Sequence, residues 1–239
     1  MEAAVVAEKL VEWLRARAKE AGASGAVFGL SGGIDSAVVA GLAKRAFADN
    51  TLGVIMPSHS ISQDAEHAKL VADAFGIKTK IVDLTPVYDS VLGSLGESAG
   101  PHPLAAANIK PRLRMITLYY LAQKHNYLVL GTGNRSELHM GYFTKYGDGG
   151  VDLLPIGKLV KQQVRELAVY LGVPQPIIDK PPSAGLWEGQ TDEDEMGITY
   201  ADLDRYILAG EATDAVKTKV DDLHRKSEHK RNMPPVGDF

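Results

Sequence analysis

The stretch Gly25-Ala26-Val27-Phe28-Gly29-Leu30-Ser31-Gly32-Gly33-Ile34-Asp35-Ser36 constrains this chain more than any other. Ala26, Val27, Phe28 and Leu30 form an apolar run of strand length with glycines at its borders. Ser31-Gly32-Gly33 follows as a turn with several bare backbone N–H groups in a row, and Ser36-Ala37-Val38-Val39-Ala40 begins a helical pattern. A strand that enters a helix through such a turn builds an anion site, because the unpaired N–H groups and the positive end of the helix dipole converge on the bend. Asp35 sits awkwardly there. A carboxylate beside a phosphate repels it unless a divalent cation lies between them, so the stretch predicts metal-bound polyphosphate. A glycine-rich turn with Asp35 as an ordinary helix N-cap is the plainer alternative.

The rest of the chain repeats the alternation of strand and helix. An amphipathic helix is expected over 3–20, with Val6, Leu10, Trp13 and Leu14 on one face, and a second over 36–48. Further strands are expected at 52–56, stopped by Pro57, at 79–84, closed by Pro86, and at 127–130, with a fifth short one at 153–156. Between them fall a helix with Ser62 as its N-cap, a helical segment over 104–125 and a helix over about 160–171. Two more helices near 199–209 and 213–231 close the chain. Strands and helices spaced in this way make βαβ units. The fold class is α/β: a Rossmann-like open parallel sheet of about five strands, in the order 3-2-1-4-5, with helices on both faces and residues 1–239 in a single domain. The 104–125 segment is apolar on several faces (Leu113, Met115, Ile116, Leu118, Tyr119, Leu121), as a core helix or a subunit-interface helix would be.

Composition removes several function classes. The 239 residues carry a formal charge of −4, which gives no general attraction to nucleic acid or acidic membranes. The chain has no cysteine, so disulfides, thiolate zinc sites and a cysteine nucleophile are excluded. Charges in Met1-Glu2-Ala3-Ala4-Val5-Val6-Ala7-Glu8-Lys9 stand where a signal peptide needs an apolar core, and no apolar run approaches the roughly 20 residues of a membrane span. The expectation is a cytoplasmic protein with neither nucleic-acid nor membrane partners.

Ligands of an open parallel sheet bind beyond the carboxyl ends of the strands, where the strand order reverses. The loops at that crevice are Ser31–Ser36 and Gly131–Glu137, and both concentrate polar residues directly after an apolar strand. Asp35 and Glu137 are the candidate ligands of Mg2+, a hard ion that combines carboxylates, phosphate oxygens and water. Each is also explained as a surface or capping carboxylate. Lys161 opens a helix where its charge opposes the dipole, which points to a role beyond that of a solvated first-turn lysine. A Walker loop is excluded because no lysine follows the glycines, and Gly131-x-Gly133-x-x-Ser136 misses the dinucleotide fingerprint at its third position. The seven histidines make no zinc spacing, and Ser31 lacks the nucleophile elbow.

Ser31-Gly32-Gly33-Ile34-Asp35-Ser36 after a first strand resembles the phosphate loop of the ATP pyrophosphatases, which include NAD, GMP, asparagine and argininosuccinate synthetases. Four further stretches resemble NAD synthetase in order and spacing: residues 108–115, 131–137, 144–152 and the closing His229-Lys230-Arg231. The resemblance implies a ligase of NAD biosynthesis that amidates deamido-NAD with ATP and ammonia through an adenylated carboxylate. Position by position it places ATP on Gly29, Leu30, Ser31, Gly32, Gly33, Ile34, Asp35, Ser36, Thr132, Lys161 and Ser183, with Asp35 and Glu137 on Mg2+. Asp35, Glu137 and Lys161 are the residues it implies for catalysis. Arg112, Lys145, Asp152, His229 and Lys230 match positions that contact deamido-NAD. Ser183 stands where the family has threonine, and Ile34 where many bacterial members have glutamine. The resemblance also implies a homodimer built partly by the helix after Pro103, candidate lids at 143–152 and 181–192, and, with no cysteine for a glutaminase, ammonia as nitrogen donor, either free or received from a separate protein. A superfamily member acting on another acceptor, such as GMP synthetase, and a non-catalytic adenine-nucleotide module are the competing readings.

Overall fold

The computed structural model describes residues 1–60, 62–97, 103–183 and 191–237. Four parallel strands, β1 (Gly25–Gly29), β2 (Thr51–Ile55), β3 (Lys78–Ile81) and β4 (Tyr127–Val129), are ordered β3-β2-β1-β4. The strand of the opening stretch is therefore central, with Val27 opposite both Leu52 and Val129. The helices are α1 (Ala3–Glu20), α2 (Ile34–Phe47), α3 (Ser62–Phe75), α4 (Thr85–Ser94), α5 (Pro103–Ala107) and α6 (Ile109–His125) in the first half. After β4 come α7 (Arg135–Met140), α8 (Lys161–Leu171), α9 (Gln175–Ile178), α10 (Asp192–Met196), α11 (Tyr200–Ala209) and α12 (Asp214–Lys226), then a 3-10 turn at Glu228–Lys230.

The apolar run of β1 is continuous because both faces of the sheet are covered. Ala26, Phe28 and Leu30 join the larger core with Leu14 of α1, Val38 and Leu42 of α2 and Val164 and Leu167 of α8. Val27 points the other way, into a core with Val54, Val129 and Leu118 and Leu121 of α6. β3 is exposed along its length, and Lys78 and Lys80 keep this sheet edge charged. A separate small core joins α7 to the C-terminal helices through Met140, Met196, Tyr200, Leu203 and Val220.

The strand order and the helices on both faces agree with the expectation; four details differ. The fifth strand shrinks to one parallel bridge, Leu130 to Leu153, because Pro155 lacks the N–H that a longer ladder needs. The 104–125 segment is two helices: Pro111 has no N–H for the carbonyl of Ala107, where α5 ends. Nor is α6 buried all round: Leu118 and Leu121 face the sheet while Ile116 and Tyr120 are exposed. The terminal helix stops at Lys226, and His229 and Lys230 lie on the 3-10 turn beyond it. The helix expected to be capped by Ser62 already includes it, so the cap position falls on residue 61, which with most of the 181–192 stretch (184–190) lies outside the described residues.

Candidate active site

Three helix N-termini converge beyond the carboxyl ends of β1 and β4. α2 begins there after β1, α7 after β4, and α8 after the Leu153 bridge, and their first turns carry Asp35, Glu137 and Lys161. The Lys161 ammonium, its side chain only 3% exposed, pairs with Asp35 Oδ2 and lies 3.6 Å from Glu137 Oε1. Asn134, fully buried, donates from Nδ2 to Asp35 Oδ1 at 2.9 Å. The same residue N-caps α7: its Oδ1 accepts from the Glu137 N–H at 3.0 Å, and its own N–H donates to Glu137 Oε2 at 3.1 Å. Together with the Asn134–Asp35 hydrogen bond, which spans 99 residues of chain, this capping box fixes the Glu137 carboxylate relative to Asp35.

The charges explain one another. Burial by itself would lower the Lys161 pKa, but the Asp35 and Glu137 carboxylates outweigh it and hold the ammonium above its ordinary value. Burial, and then the Asp35 charge, push Glu137 well above the carboxylate range, with Lys161 pulling the other way. One ammonium does not balance two carboxylates, and their oxygens are donors of the kind that a hard divalent cation such as Mg2+ takes.

Gly33, not Asp35, is the N-cap of α2, with Asp35 in the first turn and so free of capping duty. Ser36 braces the loop: its hydroxyl donates to Gly33 O at 2.9 Å, contacts Ser31 Oγ at 3.1 Å and accepts from the Ser31 N–H at 3.3 Å. Gly32 has a φ of +77°, and a Cβ there would stand 2.6 Å from Asp64 O and 2.7 Å from His67 Cβ of α3. The Ile34 side chain turns into the core, so this position offers the site only backbone. Leu30 is buried behind the loop and Gly29 ends β1, while Thr132 is half-buried just past β4. Ser183 is exposed at the border of the described residues.

Four of the five residues matched to deamido-NAD are linked through hydrogen bonds around the start of α6 and the C-terminal turn. Arg112 donates to the carbonyls of Asn108 and Lys145, both at 3.3 Å, and the Lys145 ammonium donates to His229 O at 2.5 Å. Lys230 donates to Gly141 O and Phe143 O at 2.7 and 2.8 Å, tying the C-terminal turn to the segment after α7. Asp152 stands apart: it accepts from Tyr119 OH at 3.0 Å and from the Val129 N–H at 2.8 Å. The 144–150 turn is fastened rather than free, with the Thr144 hydroxyl on Asn108 Oδ1 at 2.6 Å and its N–H on Asp148 at 2.8 Å.

Four further residues belong to the site. Asn134 was legible, since Asn followed three positions later by Glu is a capping-box pattern. Asp204 of α11 accepts from Ser136 Oγ at 2.6 Å and from the Gln162 N–H at 2.8 Å, while Ser136 Oγ accepts from the Lys161 N–H at 3.1 Å. Asp204 thus satisfies the N-terminus of α8 and fixes Lys161. Tyr200, also on α11, places its ring 5.0 Å from the Lys161 ammonium and donates its hydroxyl to Asp192 Oδ2 at 2.9 Å. No local pattern announces these last three, because partners 8 to 68 residues away in sequence create their roles.

A sequence profile described as NAD synthase matches residues 6–234. The chain belongs to the NAD synthase family. An NH3-dependent NAD+ synthetase of Carboxydothermus hydrogenoformans is 57% identical over 96% of this chain and 95% of its own length. Among solved structures, an NMN synthetase from Francisella tularensis superposes with a TM-score of 0.95 at 40% identity, covering all of both chains. An NH3-dependent NAD synthetase from Campylobacter jejuni, in complex with nitrate, gives 0.82 at 30% identity, again over all of both chains. The resemblance drawn from the loop and the four motif stretches is borne out, and with it the expected fold and a ligase of NAD biosynthesis. GMP synthetase and a non-catalytic module lose their footing as readings. Among the described residues no helix is long and apolar enough to cross a membrane.

Proposed function

We propose that the whole chain, residues 1–239, is one catalytic unit. It transfers AMP from ATP to the carboxylate of deamido-NAD and then replaces AMP by ammonia. The observation that carries this is the convergence of Asp35, Glu137 and Lys161 on three helix N-termini at the switch point of the sheet. A carboxylate is a poor electrophile because its leaving group would be oxide. Its oxygen attacks the α-phosphorus, the bond to pyrophosphate breaks, and the mixed anhydride so formed is open to ammonia. No covalent nucleophile is needed, only placement, charge neutralisation and exclusion of water.

The turn at Ser31–Gly33, whose Ser31 and Gly33 N–H groups rest on the exchangeable hydroxyls of Ser36 and Ser31, and the N-terminus of α2 receive the phosphates, with Thr132 and Ser183 as further ATP contacts. Asp35 and Glu137 would hold Mg2+, which neutralises the departing pyrophosphate. Lys161 stays charged, so its part is electrostatic rather than that of a proton acceptor. Arg112, Lys145, His229 and Lys230 bind the acceptor at one end. Asp152, tied to Tyr119 seven residues along α6, stands about 10 Å further on. That spread suits an extended dinucleotide. Leu104 of α5 and Ile116 and Tyr120 of α6, each more than half exposed, support a homodimer through these two helices.

A second reading has its own support in the 0.95 TM-score to the NMN synthetase: the same amidation on a mononucleotide acceptor. Release of AMP with ATP, Mg2+ and ammonium, measured with deamido-NAD, nicotinate mononucleotide and xanthosine monophosphate in turn, decides. Deamido-NAD is expected to give the highest kcat/KM. A higher value for nicotinate mononucleotide moves the assignment to the second reading, and turnover of xanthosine monophosphate alone overturns both.

A further inference from the structure

Three carboxylates surround one cation in the crevice. Besides Asp35 and Glu137 there is Asp192, the first residue of α10, which is 3% exposed. Its Oδ2 accepts from Tyr200 OH at 2.9 Å, and the Tyr200 ring lies 5.0 Å from the Lys161 ammonium, so Asp192 is coupled to the reaction centre through one side chain. The Tyr142 hydroxyl also hydrogen-bonds this carboxylate, yet among the described residues its Oδ1 is buried and has no hydrogen-bond partner. A buried carboxylate oxygen without a donor is costly and uncommon, and beside a reacting centre it points to a ligand that donates. Among the described residues no group of three or more acidic or histidine side chains is spaced to hold a metal, so Asp192 does not complete the Asp35–Glu137 pair as a third metal ligand. What Oδ1 lacks is a small cation rich in N–H donors.

We propose that Asp192 Oδ1 is the docking point of the nitrogen substrate, bound as ammonium beside Tyr200. The proposal rests on the amidation reading above. Ammonia in neutral water is almost wholly ammonium, which offers four N–H donors and the positive charge that the crevice is short of. The bound ion passes one proton to the Asp192 carboxylate. The nitrogen lone pair so released forms the C–N bond at the acyl carbon of the adenylate. The C–O bond to AMP breaks with its electron pair going to the phosphate oxygen, and a second proton leaves the new nitrogen for that phosphate.

The test uses the full chain with Asp192→Asn, which keeps the shape and an acceptor for the Tyr200 hydroxyl but removes the charge. Pyrophosphate–ATP exchange with deamido-NAD and Mg2+, without ammonia, reads adenylation; amide formation titrated with ammonium chloride at constant ionic strength reads nitrogen capture. The expected result is a fall of 30-fold or more in kcat/KM for ammonium, carried mainly by KM, against a fall in exchange of no more than threefold. Hydroxylamine, uncharged at neutral pH, should form the hydroxamate with a loss at least tenfold smaller than that seen with ammonium. Exchange and ammonium turnover falling in step overturns the proposal, as do equal losses with the two nucleophiles. Should the asparagine variant not fold, Tyr200→Phe replaces it, with a three- to tenfold rise in the KM for ammonium expected and equal losses with both nucleophiles again overturning it. Absence of exchange in the parent chain instead refutes the amidation reading, and this proposal falls with it.

Discussion

Two adjacent glycines in the phosphate loop should respond in opposite ways to the same methyl group. At Gly32 the backbone has a φ of +77°, and an added Cβ would meet the Asp64 carbonyl oxygen at 2.6 Å, His67 Cβ at 2.7 Å and Ala68 N at 3.0 Å. Forcing a non-glycine residue into the left-handed region costs about 1–2 kcal/mol. Two of those three contacts are backbone of α3, so relief requires moving the loop or the helix, at about 1–3 kcal/mol. The sum for Gly32→Ala is about 3 kcal/mol, a fall in Tm of about 6–12 °C for a chain of this size. At Gly33 the φ is −91°, and the nearest contact of a Cβ is Ser31 Oγ at 3.4 Å. Gly33→Ala should therefore melt within about 1 kcal/mol of the parent. Its methyl group would still intrude on the anion site, so ATP affinity should fall tenfold or more in a variant of nearly unchanged stability. Calorimetric melting and ATP titration of both variants provide the check. Equal melting temperatures for the two variants, or undiminished ATP binding by Gly33→Ala, would refute the loop's division into a packing glycine and a ligand-facing one.

Two other predictions concern charge. Lys161→Met leaves Asp35 and Glu137 without their shared cation and should cost about 3 kcal/mol, the low end for a broken buried pair because one carboxyl is able to take up a proton. Added Mg2+ should recover part of that loss of Tm; a melt indifferent to Mg2+ contradicts the carboxylate pair as its site. His139 stacks on His224 at 4.2 Å, and burial, then His224 and Arg231, depress its pKa to about 4. The unfolded chain, with an ordinary histidine pKa of about 6.5, then binds more protons between those values, so stability is full above pH 6.5 and is lost as the pH falls toward 4. His139→Phe should flatten Tm over that window, and an unchanged slope assigns the acid sensitivity elsewhere.

The site also accounts for how a buried lysine between two acids is tolerated. Lys161 brings an ammonium into a region almost closed to water, which is costly unless its partners are fixed. They are fixed by backbone: Glu137 by the capping box with Asn134, and the start of α8 by Ser136 and Asp204. The same backbone groups that terminate these helices thus hold the charges of the crevice. Rigid first turns, rather than loops, carry Asp35, Glu137 and Lys161, as electrostatic preorganisation requires.

The sequence by itself determined the parallel sheet and its strand order, and pointed to the crevice between the first and fourth strands. Those follow from local patterns: apolar runs of strand length, helical periodicity and a glycine turn between them. It also supplied Asp35, Glu137 and Lys161, each in the first turn of a helix whose start is locally encoded. Tertiary structure decided what holds them. Asn134 between two carboxylates, Asp204 at the start of α8 and Asp192 under Tyr200 owe their roles to contacts made only when α2, α7, α8, α10 and α11 pack together. It also reduced the fifth strand to one bridge and split the helix before Pro111, where backbone donors missing from two prolines outweighed an otherwise regular pattern. Local signals fix a residue's conformation, but its charge state and its partners depend on burial, and burial is a property of the packed chain.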